Sequence, residues 1–228
     1  TVPGAAADDF RNIHAWNGTE ALVFGISNPG KGYYTADAGK TWQVVYENSF
    51  PGIFFNSVDF ADENRGMTLS DPIDGRPFVI RTKDRGSSWK RLTALPALKE
   101  GEYNFAASNS CIEYHPDGNA WIITGGADAR VFKTNNHGET WDVFDTEIIS
   151  GNASSGIFSV SFKDDKNGII VGGTYDDPEL NEDIAAYSSD GGESWTLSER
   201  MPAEFRSSVI WLSGRKYHVA FALGKTGC

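Results

Sequence analysis

Apolar and polar residues alternate along most of this chain in short runs rich in β-branched and aromatic side chains, the period-two pattern of half-buried strands. The runs recur in a fixed order. In a first unit they span Phe10 to Trp16, Glu20 to Ser27, Gly32 to Ala36 and Thr41 to Asn48, and in a second Asn56 to Phe60, Gly66 to Ser70, Phe78 to Thr82 and Ser88 to Thr93. A third follows with Ser110 to Tyr114, Ala120 to Gly125, Arg130 to Thr134 and Thr140 to Asp145, and a fourth with Phe158 to Phe162, Gly168 to Gly173, Ile184 to Ser188 and Ser194 to Ser198. A fifth unit opens with Ser208 to Leu212 and Tyr217 to Leu223. The pattern predicts an all-β chain of four-stranded units covering roughly 10–48, 56–93, 110–145, 158–198 and, in part, 208–228, all within a single domain 1–228.

Between the third and fourth runs of each complete unit lies the same octet: Thr35-Ala-Asp37-Ala-Gly39-Lys-Thr-Trp42, Thr82-Lys-Asp84-Arg-Gly86-Ser-Ser-Trp89, Thr134-Asn-Asn136-His-Gly138-Glu-Thr-Trp141 and Ser188-Ser-Asp190-Gly-Gly192-Glu-Ser-Trp195. The octets start 47, 52 and 54 residues apart, close to the length of one propeller blade. Their chemistry is that of a hairpin turn. Asp or Asn accepts from backbone N–H groups that follow it, Gly takes positive φ, and Trp opens the next strand and packs between sheets. These carboxylates are therefore expected to cap turns, not to reach a ligand. A further octet would be due soon after Cys228, so the spacing predicts about four and a half blades of a ring of six or seven.

The octets resemble the Asp-box, or bacterial neuraminidase repeat, shared by sialidases, some glycoside hydrolases and sortilin-type receptors. That motif identifies a turn and not an activity. Across nearly the whole chain the sequence is also similar to bacterial propellers of the photosystem II stability/assembly factor-like family. The segments carrying this likeness are Ser70-Asp71-Pro72-Ile73-Asp74-Gly75-Arg76, Asn104 to Ile112, Thr124-Gly125-Gly126-Ala127-Asp128-Ala129-Arg130-Val131-Phe132 and Gly156 to Phe162. The resemblance implies a non-catalytic binding scaffold exported from the cytoplasm.

Composition narrows the function further. With 39% apolar and 22% charged residues among 228, the chain suits a globular fold, and 25 Gly with 7 Trp suit many tight turns and large packed aromatics. A net charge of -11 argues against nucleic acid, whose phosphates are held by Lys and Arg. No run of about 18 apolar residues is present to predict membrane insertion. The start, Thr1 to Ala7, lacks the basic and apolar regions of a signal peptide, which is expected upstream of residue 1 if the gene encodes one. Cys111 and Cys228 either form a bridge in an oxidising compartment or stand as two buried thiols. The sequons at Asn17 and Asn152 fall in predicted turns and would be glycosylated only in a eukaryotic secretory route.

Candidate chemistry is sparse. No G-x-G-x-x-G opens a strand-helix unit, no haem or metal-cysteine spacing occurs, and His14, His115, His137 and His218 form no ligand set, so no cofactor or metal is expected. His137, inside an octet, is expected as an exposed loop residue. The acidic stretch Asp176 to Asp183 lacks the EF-hand ligand order and is expected as a solvated insertion. A sialidase needs an arginine triad and a Tyr-Glu pair; Asp74-Gly75-Arg76-Pro77-Phe78 lacks the Ile of the Phe-Arg-Ile-Pro signature, and the neighbours Glu102 and Tyr103 point apart in an extended segment, expected here as a solvated loop. Arg76, Arg130 and Arg206 lie on separate blades and either converge on one axial mouth or pair with Asp71, Asp74, Asp128 or Glu204. The expected ligand site is that mouth, near Asp71, Arg76, Arg130, Tyr175 and Arg206. Two long insertions, Pro96 to Asn109 and Thr174 to Asp183, are the expected partner contacts. Together these features predict a secreted, periplasmic or organelle-lumenal propeller that acts by binding a protein partner or by self-assembly, with a glycan as a further possible ligand. The alternative is a glycoside hydrolase or sialidase relative whose catalytic residues lie partly in other blades.

Overall fold

The computed structural model of the chain describes residues 2–106, 108–212, 219–225 and 227. The first blade consists of β1 (Phe10–Ala15), β2 (Ala21–Gly25), β3 (Gly30–Thr35) and β4 (Gln43–Asn48), and the second of β5 (Phe55–Phe60), β6 (Gly66–Ile73), β7 (Arg76–Thr82) and β8 (Lys90–Leu92). A two-residue β9 (Glu102–Tyr103) precedes the third, formed by β10 (Ile112–Tyr114), β11 (Ala120–Ile123), β13 (Arg130–Thr134) and β14 (Asp142–Asp145), with the short β12 (Gly125–Gly126) after β11. The fourth blade has β15 (Ser155–Phe162), β16 (Gly168–Thr174), β17 (Ala185–Ser188) and β18 (Thr196–Leu197), and a hairpin of β19 (Ser208–Trp211) and β20 (Ala220–Leu223) follows. Each blade is an antiparallel meander in chain order. The first strands β1, β5, β10, β15 and β19 lie side by side. This is the β-propeller read from the sequence.

The octet turns repeat one geometry. Thr35, Thr82, Thr134 and Ser188 accept through Oγ from the N–H of Gly39, Gly86, Gly138 and Gly192 at 2.8 to 3.0 Å. The side-chain oxygens of Asp37, Asp84, Asn136 and Asp190 accept from the N–H four residues on. Each Trp indole, at Trp42, Trp89, Trp141 and Trp195, donates to the carbonyl of the octet glycine. The residue before that glycine is also left-handed, at φ 61° for Ala38, 59° for Arg85 and 58° for His137. Two successive positive φ values make the tight turn, and the N–H at this position donates to the first hairpin of the same blade, at Thr19, Asn64, Gly118 and Lys166. The octets and the first hairpins therefore share one face of the arc, and the second hairpins and the connections between blades share the other.

The first strand of each blade has N–H groups along its inner side that no neighbouring strand pairs, which would be costly if buried alone. The preceding blade supplies their acceptors. Tyr114 N–H donates to Asp59 and Phe162 N–H to Glu113, both at 2.7 Å, and Val209 and Trp211 donate to Ser159 and Ser161. Burial pushes the Asp59 carboxyl up to about 7, with the Tyr114 N–H pulling it down and Glu113 adding like-charge repulsion. Burial likewise raises Glu113, and His115, which burial alone would lower, is lifted by its bond to Glu113. Raised folded values carry stability that is complete below the unfolded values and is lost as pH climbs through the folded ones. The octet carboxylates act oppositely: Asp37, bonded by the Thr41 hydroxyl and N–H, and Asp190, bonded by Ser194 against a burial penalty, lie at about 2. Their contribution disappears as pH falls below about 4. The unfolding midpoint is thus expected to peak near about pH 4 and to decline both toward about pH 2 and toward about pH 7, and Asp59→Asn to flatten the decline on the alkaline side. Thermal unfolding in buffers across that range checks this; an alkaline decline unchanged in the variant would remove Asp59 as its source.

Two departures from the expected strands shape the far face. The expected run Ala120 to Gly125 divides at Thr124, after which Gly125 pairs with Gly156 of the next blade and with Tyr103. Consequently β9 and β12 extend the fourth blade into a six-stranded sheet, in the order β18-β17-β16-β15-β12-β9. The segment around Glu102 and Tyr103 is not a solvated loop but a strand sealed onto this crossing, because Glu102 finds a buried partner there.

Candidate functional site

That partner is Arg130. The Glu102 side chain is 0% exposed and accepts from Arg130 Nε at 3.0 Å and a terminal guanidinium nitrogen at 2.5 Å, from Thr124 Oγ1 at 2.5 Å and from Lys99 N–H at 2.8 Å. Arg130 is thereby committed to a structural ion pair and does not stand at the mouth as a free cation. The expected pairing with Asp128 is replaced as well, since Asp128 binds Lys99. Arg206 is also buried, donating to the carbonyls of Glu204 and Phe205 and lying 3.5 Å from the Glu204 carboxylate. Arg76 remains exposed, with one guanidinium nitrogen on Leu95 O at 2.5 Å. Asp71 accepts from Asn56 at 3.0 Å, and burial raises its carboxyl. All five expected site residues lie on the face opposite the octets, but only Arg76 and Tyr175 present exposed side chains there.

Tyr175 stands at the edge of an aromatic tier. Phe105 stacks on Phe158 at 3.9 Å, Tyr103 meets Phe105 edge-on at 5.4 Å, and Phe205 meets Phe158 edge-on at 4.7 Å. The tier joins the Pro96 to Asn109 insertion to the fourth blade. The second insertion is tied down by Phe205 N–H on Pro178 O and Ile149 N–H on Asp183 O, both at 2.9 Å. It therefore forms an ordered wall. Between this wall and the turn at Asn152 lies a cavity of about 430 Å³, which no expected site residue but Tyr175 lines. The length of the insertion and its acidic stretch are the sequence signals for it.

The remaining candidates take structural roles. Cys111 is buried with its thiol on Phe105 O, and burial pushes it up to about 12; Cys228 and His218 lie outside the described residues. His137 is not a free loop residue: its ring bonds the Tyr114 hydroxyl of its own blade at 2.8 Å and Arg65 of the second blade at 3.0 Å, because its octet lies against the first hairpin of that neighbouring blade. Asn17 and Asn152 are exposed and cap their own turns, accepting from Thr19 and Ser154. Among the described residues no group of three or more His, Cys, Asp or Glu is placed to hold a metal, and no helix is long and apolar enough to cross a membrane.

Comparison with known proteins agrees with this architecture. The model of the family described as photosynthesis system II assembly factor YCF48 matches residues 103–228, and that of the BNR/Asp-box repeat matches residues 33–44. Photosystem II assembly lipoprotein Ycf48 of Synechococcus sp. (strain CC9902) is 24% identical over 205 residues, covering 88% of this chain and 52% of the relative. The chain thus spans about half the length of the curated relative it matches. A solved YCF48 bound to D1 peptide has a TM-score of 0.58 at 16% identity, covering 93% of this chain and 61% of the other. YCF48 from Cyanidioschyzon merolae has a TM-score of 0.63 at 14% identity, with 97% and 66% covered. The Niastella koreensis GH74 enzyme gives 0.63 at 14%, with 97% and 36% covered. These solved structures share the fold, and the match to the family model extends over more than half of the sequence: the chain belongs to the photosynthesis system II assembly factor YCF48 family.

Proposed function

We propose that the chain is a non-catalytic, extracytoplasmic propeller that captures a peptide segment of a photosystem II subunit, of the D1 type, on the face opposite the octets. The observation that carries this is the convergence of both long insertions on that face, where they build an ordered wall, an aromatic tier and an open cavity. Repeated octets fill the other face with turn hydrogen bonds, and the cavity of about 510 Å³ found there, between Asp190 and Asn119, Lys133 and Lys166, has no aromatic side chain in its lining. Family membership, and a relative of the same fold bound to D1 peptide, support the partner class. A lipoprotein relative supports a periplasmic or organelle-lumenal location. The 228 residues form one domain within a ring of six or seven blades, in keeping with their coverage of 61% and 66% of the two solved YCF48 chains.

Titrating the full chain with a D1 peptide is expected to give saturable binding that Arg76→Ala with Tyr175→Ala weakens by about tenfold, the loss of two exposed contacts of ordinary strength. The control pair Lys40→Ala with Glu193→Ala, on the octet face, should leave it unchanged. Equal effects of the two pairs would overturn the assignment of the face. Hydrolysis of an oligosaccharide, abolished by replacing one carboxylate, would instead establish the glycoside hydrolase alternative.

A further inference from the structure

We infer that the cavity beside Tyr175 receives a basic side chain, the guanidinium or ammonium group of an arginine or lysine in the partner peptide; this rests on reading its face as a peptide-binding surface. The cavity is lined by Asn152, Ser154, Thr174, Tyr175, Asp176 and Asp177, together with Ala153 and Leu180, and contains no Lys or Arg. Among the described residues Asp176 and Asp177 enter no ion pair, and both are exposed, so their negative charge is open to a cation from a partner. Thr174 supplies an independent sign. It is 4% exposed, it lines the cavity, and its Oγ1 has no hydrogen-bond partner. Buried polar atoms are rarely left in that state, and a bound water, ion or ligand is what completes them.

Tyr175 supplies the third element. Its side chain is held edge-on to Phe105 at 6.2 Å and to Phe158 at 6.3 Å, yet the residue stays 55% exposed, which leaves aromatic surface open to a partner. A cation over a tyrosine ring is attracted by its quadrupole, and its N–H groups bond carboxylates more strongly than a neutral donor does. A guanidinium or ammonium therefore meets the exposed features of the cavity at once, the ring and the carboxylates, with the Thr174 hydroxyl buried just behind them. An acidic side chain would meet only repulsion. The insertion is already tied to Phe205 and Ile149, so little ordering is needed on binding.

The test is titration of the full chain, by NMR, with acetyl-Gly-Gly-Arg-Gly-Gly-amide, the same peptide carrying Gln in place of Arg, and cellotriose. The arginine peptide is expected to bind at least about tenfold more tightly than the glutamine peptide, to shift resonances of Thr174 and Tyr175, and to weaken as salt is raised. Asp176→Asn with Asp177→Asn should erase that preference, and Tyr175→Leu should weaken binding by about two- to fivefold. All three positions other than Thr174 are exposed, so unfolding midpoints should match wild type. Equal affinity for both peptides, tighter binding of cellotriose, or an undiminished preference in the double Asn variant would overturn the inference. Arginine-peptide binding at this cavity without any capture of D1 peptide would keep the cavity and overturn the partner.

Discussion

Gly172→Ala is expected to destabilise the chain by at least about 3 kcal/mol, which for a domain of this size lowers the unfolding midpoint by roughly 6 to 12 °C. A Cβ at Gly172 would lie 1.9 Å from the Gly156 carbonyl oxygen, a backbone atom that cannot swing away. Nor can the two strands separate freely. Gly172 N–H is bonded to Ile184 O, its carbonyl accepts from Arg206 N–H, and Gly156 lies with its Cα against Gly125 of the third blade. Relieving the clash would therefore move β16 from β15 and open the crossing that carries β9 and β12. Gly18→Ala is the matched control, because a Cβ there meets nothing within 4 Å and its φ is ordinary. Calorimetric or fluorescence-detected unfolding of the two variants decides the matter: a loss at Gly172 no larger than at Gly18 would show that β15 and β16 are not held at the spacing described.

The contrast between octets and crossing also explains what was legible beforehand. An octet is local chemistry: Asp84 accepts from a residue four positions on, and Thr82 caps a glycine at the same distance, so eight letters suffice to predict the turn. Four such turns at blade spacing then imply the propeller. Even here one feature escaped, the left-handed backbone of Ala38, Arg85 and His137, since none of these residue types announces a positive φ. Beyond the octets, placement depends on segments far apart in sequence. Glu102 and Arg130 are 28 residues apart and meet only because Thr124 bends β11 out of its blade. Nothing in the alternation of apolar and polar residues marks that bend. The cavity beside Tyr175 depends on the same kind of assembly, with Asn152 and Ser154 from one connection facing Thr174 to Leu180 from another.

The repeated part of the molecule and the part proposed to bind a partner are thus physically separate. Octets satisfy their own turns and bond the neighbouring hairpin of the same blade. Irregular insertions gather on the opposite face, where side chains remain with unmet hydrogen-bonding or electrostatic requirements. A scaffold of this design keeps its shape while the insertions vary, as is usual for binding loops on rigid sheets.

Arg130→Ala is expected to cost about 3 to 5 kcal/mol of stability, because it leaves the Glu102 carboxylate buried without its counter-ion. The remaining donors, Thr124 Oγ1 and Lys99 N–H, are neutral and cannot replace a two-point guanidinium contact. Glu102→Gln should cost less, since the Arg130 side chain is 11% exposed and also reaches Ala97 O and the face of Phe132. Replacing both residues by Met removes the charge problem along with the pair, so the double variant is expected to be more stable than Arg130→Ala alone. A double-mutant cycle of Arg130→Met, Glu102→Met and the double variant, by denaturant unfolding, then yields a coupling of about 2 kcal/mol or more. The cycle separates two roles for this arginine. A ligand-binding cation at the mouth would, when removed, weaken peptide capture and leave unfolding unaltered, with no coupling to Glu102. A structural pair gives the reverse: large coupling, and peptide capture that falls only as far as the folded fraction does. Full stability in Arg130→Ala would return the residue to the mouth.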